Sequence, residues 1–172
     1  MTPDQLRQIM PYSAGRVDVF APPLTAAMQE FGITTAKRQA AFIAQVAHES
    51  GELRYTLELT DGQGYERRAD LGNTQPGDGP RFKGRGLIQI TGRANYEACG
   101  KALGLTLIVT PSLLEVPAGA CRSAAWFWQT HGLNGFAEAD KFGSITKTIN
   151  GGFNHLDERL AYWLRARKAV GL

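Results

Sequence analysis

Apolar residues recur at helical spacing over several long stretches of the chain. The clearest stretch follows Thr34 and Thr35, where apolar side chains at positions 40, 43, 44 and 47 follow the i, i+3, i+4, i+7 pattern of one helix face. Either threonine can cap this helix, and Gly51 is expected to end it at about Ser50. The same kind of spacing predicts further helices over about residues 94–103, 118–131, 144–150 and 156–170.

A short segment in the middle of the chain has a different pattern. The alternation over residues 87–91 predicts a strand with Ile88 and Ile90 on one face and Gln89 and Thr91 on the other. We expect the polar face to look into a cleft. Glycine and proline make residues 72–80 a loop, and residues 60–64 are typical of a turn. The sequence therefore predicts a mainly helical α+β fold with one small β element.

The length of the chain and its apolar runs limit the class of protein. A chain of 172 residues fits one domain over residues 1–172. The longest apolar runs, residues 40–44 and 124–128, are far too short to cross a bilayer, so no membrane insertion is expected. The first residues show neither the basic nor the apolar region of a secretory signal. We therefore expect synthesis in the cytoplasm, with release by another agent if the target lies outside.

Cysteine content and charge exclude further classes. Cys99 and Cys121 are too few for a disulfide scaffold and lack zinc-ribbon spacing, so both are predicted to be buried thiols. The net charge is +3, and the last predicted helix carries four basic residues, Arg159, Arg165, Arg167 and Lys168. A solvated basic face is the favoured interpretation, and attraction to an anionic polymer such as the cell wall is the alternative. No recognition motif accompanies this charge, so nucleic acid is not an expected partner.

Glu49 is a candidate for chemistry because of its place in the first predicted helix. It lies in the last turn, where the negative end of the helix dipole disfavours a carboxylate, and this suits a residue that must donate a proton. Taken alone, a glutamate in this place is more often a solvated residue at a helix end.

Two nearby motifs resemble cofactor sites but lack a required residue. His48 and Glu49 begin the zinc-protease pattern, but Glu52 occupies the position of the second histidine. The Gly-Arg-Gly stretch at 84–86 has Gln89 where a dinucleotide-binding loop needs its third glycine. We therefore expect neither a metal nor a cofactor.

A group of carboxylates follows the first predicted helix. Its members are Glu49, Glu52, Glu58, Glu66 and Asp70. Hydrolysis of a glycosidic bond needs one protonated carboxyl for the leaving oxygen and one ionised carboxylate to activate water. No nucleophile elbow or Cys-His arrangement competes with this chemistry.

Five segments occur in the order of a known enzyme family. They are residues 42–51 (FIAQVAHESG), 77–79 (GDG), 82–96 (FKGRGLIQITGRANY), 124–128 (AAWFW) and 149–152 (INGG). Together they span about residues 36–168 and resemble glycoside hydrolase family 19, the chitinase-like family, and within it the phage endolysins. The resemblance implies a lysozyme-like, mainly helical fold whose small β element lines the substrate cleft.

The resemblance also implies roles for the carboxylates. In this family the glutamate of the His-Glu-Ser/Thr-Gly motif is the general acid, which falls on Glu49 and places His48 beside it. The general base follows, and its spacing in the small bacterial members falls on Glu58. Glu66 is the rival, because residues 65–67 resemble the neighbourhood of the base in larger plant members.

Further residues match the family's cleft. The water-positioning serine or threonine falls on Thr91, in agreement with the alternation that places Gln89 on the same face. The family's sugar-lining positions fall on Asn95, Tyr96 and Asn150.

The surroundings of the acid combine one match with one departure. Arg159 matches an arginine that supports the catalytic carboxylate. Chitinases often carry a glutamate shortly after the Asn-Gly-Gly motif, where this chain has Phe153 and Asn154. We expect a lighter ion network around the acid, and the chitinase substrate does not transfer directly.

The resulting hypothesis is an inverting endolysin, in which Glu49 protonates the glycosidic oxygen while Glu58 and Thr91 direct water onto the opposite face. Its expected partner is peptidoglycan, cut at the β-1,4 link from N-acetylmuramic acid to N-acetylglucosamine. We expect a monomer that reaches the wall, in the periplasm, after a holin permeabilises the membrane. Two alternatives are a chitinase acting on N-acetylglucosamine polymers and a non-catalytic muropeptide-binding relative.

Overall fold

The computed structural model describes residues 1–172 and contains nine α-helices. Their bounds are α1 Pro3–Ile9, α2 Arg16–Glu30, α3 Ala36–Glu49, α4 Asp78–Arg81, α5 Arg93–Leu103, α6 Pro117–Thr130, α7 Leu133–Glu138, α8 Phe142–Asn150 and α9 Leu156–Ala169. Short 3₁₀ turns lie at Gln63–Tyr65, Ala69–Leu71 and Pro111–Leu114. The prediction of a mainly helical fold is confirmed.

Helix α3 forms the centre of the structure. Thr35 caps it, because its Oγ1 accepts a hydrogen bond from the Arg38 N–H at 3.3 Å. Every residue from Ala40 to Ala47 is buried, so the helix is covered on all sides rather than along one stripe. Helix α9 packs against α3, and α2 packs against α6. The Phe42 and Trp128 rings meet edge to face, with their centroids 5.3 Å apart, and join α3 to α6.

Four helices were not predicted from the sequence: α1, α2 and α7, and α4, which begins in the predicted loop. Helix α1 begins with a capping box between Thr2 and Gln5. Helix α2 contains Pro22 and Pro23 in its interior, and two adjacent prolines conceal a helical pattern because each removes a backbone donor. Helix α7 has only six residues, too few for a clear repeat.

The predicted strand at residues 87–91 is wrong. The structure has no sheet and only isolated bridges, from Arg85 to Leu57 and to Ile90. The segment is a tight turn in which Arg85 and Ile90 exchange both backbone hydrogen bonds, at 3.1 and 2.8 Å. Gln89 adopts a left-handed φ of 55°, which a strand does not allow. Within residues 87–91, Gln89 and Thr91 are nevertheless the partly exposed residues, and Ile88 and Ile90 are buried.

The predicted loop at residues 72–80 contains the start of α4. Its anchor is Asp78, which is 1% exposed and accepts hydrogen bonds from Arg93 and from the Gln75 N–H. The hydrogen bonds from Arg93 hold the pKa of the Asp78 carboxyl below its ordinary value. The loop is therefore tied to the beginning of α5.

Two further predictions concern burial. Cys99 and Cys121 are free and buried, as predicted, and burial raises the pKa of the Cys99 thiol to about 12. None of the helices is both long and apolar enough to cross a membrane.

Candidate active site

Glu49 lies at the end of α3, where α9 brings an arginine against it. Arg159 is 1% exposed, and its Nη2 lies 2.6 Å from Glu49 Oε1, while the Glu49 side chain keeps 19% exposure. This contact is an ion pair without hydrogen-bond geometry, so Oε1 has no hydrogen-bond partner. The positive guanidinium opposes the effect of the helix dipole on the Glu49 carboxylate.

Arg159 is itself held by residues that the sequence analysis did not single out. Its Nη1 donates to Gln45 Oε1 at 2.5 Å, and Gln45 Nε2 donates to Thr146 Oγ1 at 2.8 Å. Gln45 and Thr146 are fully buried. The sequence did contain a signal for Gln45, because this residue lies four positions before Glu49 and therefore on the same helix face. This polar chain links the candidate acid to α8 and α9.

The burial of Arg159 corrects the interpretation of the last helix. The prediction of one solvated basic face is wrong for Arg159, because α9 packs against α3 and turns this side chain inward. Arg165 and Lys168 are exposed, and Arg167 forms an ion pair with Asp140 at 2.8 Å.

His48 adjoins the candidate acid on the same helix. Burial of the imidazole and the nearby charge of Arg159 lower the pKa of His48. The negative charges of Glu158 and Glu49 act in the opposite direction but do not outweigh them. His48 is therefore a neutral imidazole near neutral pH. Its Nδ1 lies 3.3 Å from Glu158 Oε2 without hydrogen-bond geometry, and its ring lies 5.6 Å from that of His155.

Glu58 has a set of hydrogen-bond donors around its carboxylate. Its Oε1 accepts from Thr60 Oγ1 at 2.6 Å and from the Tyr65 hydroxyl at 2.8 Å, and its Oε2 accepts from the Gly84 N–H at 2.9 Å. Burial raises the pKa of Glu58, but these hydrogen bonds and the nearby Lys83 ammonium outweigh burial, so the pKa lies below its ordinary value. Glu58 is thus ionised over the neutral range, as a general base must be.

Glu66, the rival to Glu58, is occupied by the neighbouring loop. Its two carboxylate oxygens accept hydrogen bonds from the Gly77 and Gly79 N–H groups, at 2.8 and 2.9 Å. These backbone donors lower the pKa of Glu66. Both oxygens of Glu66 therefore hold the loop. Glu58 also accepts hydrogen bonds at both oxygens, but it lies with Gln89 beside Gly84, and it stays the predicted base.

The other two carboxylates of the group have partners of their own. Glu52 is buried and accepts from the Tyr12 N–H at 2.6 Å and from the Tyr162 hydroxyl at 3.0 Å, so it joins the segment between α1 and α2 to α9. Asp70 forms an exposed ion pair with Arg68 at 2.5 Å. No group of three or more His, Cys, Asp or Glu side chains is arranged to hold a metal ion.

The turn at residues 85–91 carries Gln89 and Thr91, and it brings Gln89 close to Glu58. Gln89 Nε2 donates to the Gly86 carbonyl at 2.8 Å, which leaves Gln89 Oε1 uncommitted. A methyl group added at Gly84 would lie 2.7 Å from Gln89 Oε1 and 3.0 Å from Glu58 Oε2. Both acceptors therefore lie on the same side of Gly84, and a glycine there leaves room for them. Thr91 Oγ1 donates to the Gln89 carbonyl at 2.9 Å, so its oxygen is free to accept from water.

The three predicted cleft residues differ in exposure. Asn95 is exposed, and its Nδ2 donates to the Thr91 carbonyl at 2.7 Å. Asn150 is exposed at the end of α8. Tyr96 is fully buried, and its hydroxyl donates to the Lys83 carbonyl at 2.6 Å, so it supports the cleft from beneath instead of touching a sugar.

The arrangement combines two carboxylates in different electrostatic surroundings. Glu49 faces a buried arginine and lacks a hydrogen bond to Oε1, whereas Glu58 accepts three hydrogen bonds. They share no hydrogen-bond partner, which is typical of a site with separate acid and base residues. A mainly helical fold with such a pair is the arrangement expected of a glycoside hydrolase with a lysozyme-like fold.

Comparison with known proteins identifies the family. The model of glycoside hydrolase family 19, described as chitinase class I, matches residues 20–140. A Haemophilus influenzae protein with a glycosyl hydrolase family 19 domain is 32% identical over 171 residues, covering 79% of this chain and 82% of that protein. The chain therefore belongs to glycoside hydrolase family 19.

Chitinases are prominent among the similar proteins. An Arabidopsis thaliana endochitinase is 40% identical over 121 residues, and the match covers 69% of this chain but 41% of that protein. The crystal structure of chitinase C from Streptomyces griseus HUT6037 has a TM-score of 0.80 at 26% identity, covering 99% of this chain and 76% of that one. These relatives favour the chitinase alternative over the predicted endolysin, and the endolysin subgroup stays a prediction.

Proposed function

We propose that this protein is an inverting hydrolase of β-1,4-linked N-acetylglucosamine polymers, a chitinase-type activity. The observation that carries the proposal is the contrast between Glu58, held ionised by three donors, and Glu49, which has no hydrogen bond to Oε1. The names of the similar enzymes support this polymer as the substrate.

The proposed reaction moves one proton at each carboxyl. Glu49 donates its proton to the glycosidic oxygen as the bond from that oxygen to the anomeric carbon breaks. The reaction needs this proton on Oε2, because Oε1 faces the Arg159 guanidinium. A water held by Thr91 attacks the anomeric carbon from the opposite face, and Glu58 accepts a proton from that water. Exchange with solvent then restores both carboxyls.

The experiment is hydrolysis of the N-acetylglucosamine hexamer, with the anomers of the first products recorded by proton NMR. The wild-type protein is expected to release the α-anomer, and Glu49→Gln and Glu58→Gln to lower kcat at least about 100-fold. Glu66→Gln is the matched control, and its activity is expected to exceed that of Glu58→Gln because Glu66 serves the loop. Release of the β-anomer, or wild-type kcat in Glu49→Gln, would contradict the mechanism. Binding without turnover in the wild type would favour a non-catalytic sugar-binding protein.

A second candidate substrate is peptidoglycan, which the exposed Arg165 and Lys168 of α9 favour. They add to a net charge of +3, and cationic surface attracts anionic wall polymers. Mass spectrometry of digested sacculi tests this candidate, because muropeptides ending in reducing N-acetylmuramic acid identify the bond that is cut. Turnover of sacculi without turnover of the hexamer would make peptidoglycan the substrate.

A further inference from the structure

The segment that follows the predicted base has few ties to the rest of the chain. Leu59, Thr60 and Asp61 are all exposed, Leu59 at 82%. No backbone group of these three residues bonds to another backbone group. The one hydrogen bond that reaches them from a distant segment comes from Lys83, whose Nζ donates to the Thr60 carbonyl at 2.7 Å. The position of this segment therefore depends on Lys83.

Thr60 connects this segment to the carboxylate of the predicted base. Its Oγ1 donates to Glu58 Oε1 at 2.6 Å. The hydroxyl is carried on the Cβ atom of Thr60, so it moves with the backbone that Lys83 holds. Hydrogen bonds weaken steeply as their geometry departs from the optimum, so a displaced Thr60 backbone would weaken the donor to Glu58. The contact from Lys83 thus reaches Glu58 through one intervening residue.

The backbone of Lys83 is held on its own side of the site. Its carbonyl accepts from the hydroxyl of the buried Tyr96 at 2.6 Å. Its half-buried side chain passes beside Gly62, where an added methyl group would lie 2.9 Å from Lys83 Cβ. The carbonyl of the next residue, Gly84, accepts from the Glu58 N–H, and the Gly84 N–H donates to Glu58 Oε2, both at 2.9 Å. The ammonium therefore extends from a backbone that is already fixed to Glu58.

The charge of Lys83 acts in the same direction as the Thr60 hydroxyl. Burial raises the pKa of Glu58, and the hydrogen bonds together with the Lys83 charge lower it below its ordinary value. Both effects of Lys83 favour the ionised carboxylate that takes a proton from water.

We propose that Lys83 is a positioning residue for the general base, because it holds the Thr60 backbone so that the Thr60 hydroxyl stays on Glu58. Lys83 acts through Thr60 and exchanges no proton in the reaction. The inference rests on the proposed function, in which Glu58 is the base.

Steady-state hydrolysis of the N-acetylglucosamine hexamer over a range of pH tests the inference. Lys83→Met keeps the length of the side chain but removes its charge and donors, and it is expected to lower kcat about 10-fold with KM within about twofold. The acid limb of the kcat/KM profile is expected to move to higher pH, because the base loses a cation and a fixed donor. Lys83→Arg, which keeps the charge and donors, is expected to recover most of the lost kcat. Lys101→Met is the matched control, because Lys101 is exposed on α5.

Thr60→Val shows whether Lys83 acts through Thr60. This variant keeps the branched shape of the side chain and removes the hydroxyl that bonds to Glu58. The kcat loss caused by Lys83→Met is expected to be at least about twofold smaller in the Thr60→Val background, because part of the effect of Lys83 is already absent there. An equal loss in both backgrounds overturns the inference.

The remaining outcomes separate this inference from the proposed function. A kcat and an acid limb for Lys83→Met that match those of Lys101→Met overturn the inference, while a large loss in Glu58→Gln keeps the proposed function. Thermal unfolding followed by circular dichroism is expected to agree among the variants. Loss of both stability and activity in Lys83→Met without recovery in Lys83→Arg would make the lysine merely structural and overturns the inference. Failure of the wild type to cleave the hexamer, or wild-type kcat in Glu58→Gln, overturns both the inference and the proposed function.

Discussion

The buried ion pair between Arg159 and Glu49 gives the sharpest prediction about stability. Replacing Arg159 by methionine keeps much of the side-chain volume but removes the charge beside Glu49 Oε1. It also removes the donor to Gln45 Oε1, which then has no partner in a fully buried position. The variant therefore leaves a carboxylate and an amide oxygen uncompensated.

The expected loss follows from the burial of the two partners. Removing one member of a buried ion pair costs about 3–5 kcal/mol. Glu49 keeps 19% exposure, so water partly solvates its carboxylate, and we expect roughly 3 kcal/mol for Arg159→Met. The double variant Glu49→Gln with Arg159→Met lacks the uncompensated carboxylate, so we expect a coupling free energy of about 1–3 kcal/mol.

Urea denaturation at pH 7, followed by circular dichroism, measures the free energy of unfolding for the wild type, both single variants and the double variant. Arg122→Met is the control, because Arg122 and Glu30 form a pair with side chains 31% and 42% exposed. Such a surface pair contributes about 1 kcal/mol or less. A coupling below about 0.5 kcal/mol, or an Arg159→Met loss no larger than that of Arg122→Met, would refute the reasoning.

Three further predictions concern the turn, the base and the loop. Gly84→Ala should lower kcat about 10- to 100-fold with little loss of stability, because the new methyl displaces the flexible ends of Gln89 and Glu58 by a fraction of an ångström. Steady-state kinetics measures kcat and thermal unfolding measures stability, and a wild-type kcat would contradict the prediction. Tyr65→Phe removes a hydrogen-bond donor to the ionised Glu58 and so raises the pKa of this base. The acid limb of the pH profile of kcat/KM should therefore move to higher pH, and an unchanged limb would argue against Glu58 as the general base. Asp78 has a depressed pKa, so its stabilisation is present above the unfolded value of about 3.8 and is lost as pH falls below it. Urea denaturation should therefore show Asp78→Asn to be less stable than the wild type at pH 7, with this difference in unfolding free energy shrinking towards pH 3. A difference that stays constant with pH would exclude this linkage.

Local signals predicted the central helix and its cap. The apolar positions between Ala40 and Ala47 and the threonine at position 35 act within one or two turns of the chain, so their effect is visible without tertiary contacts. The two cysteines follow the same logic, since thiols outside a metal or disulfide pattern are most often buried.

The turn at residues 85–91 shows where local pattern fails. Alternating apolar and polar side chains are typical of a strand, but a strand also needs a neighbour along its length to pair its backbone groups. Here Arg85 and Ile90 pair with each other, and the chain turns back through a left-handed Gln89. The alternation still predicted which side chains are partly exposed, because burial follows polarity in either conformation.

The sequence by itself determined which residues are available for the chemistry: a glutamate at a helix end, a second glutamate nine positions later, and a family pattern that connects them. Only the tertiary structure decided what surrounds each one. Packing of α9 on α3 buried Arg159 against Glu49, as the family match implied and the charge pattern of the last helix did not. The return of the chain at Gly84 supplied Glu58 with a donor 26 residues away. The loop amides at 77 and 79 bind both oxygens of Glu66, the rival to Glu58. The protonation state of a carboxyl depends on charges and hydrogen-bond donors within a few ångströms. These groups come from segments that lie far apart in the sequence and meet only in the folded chain.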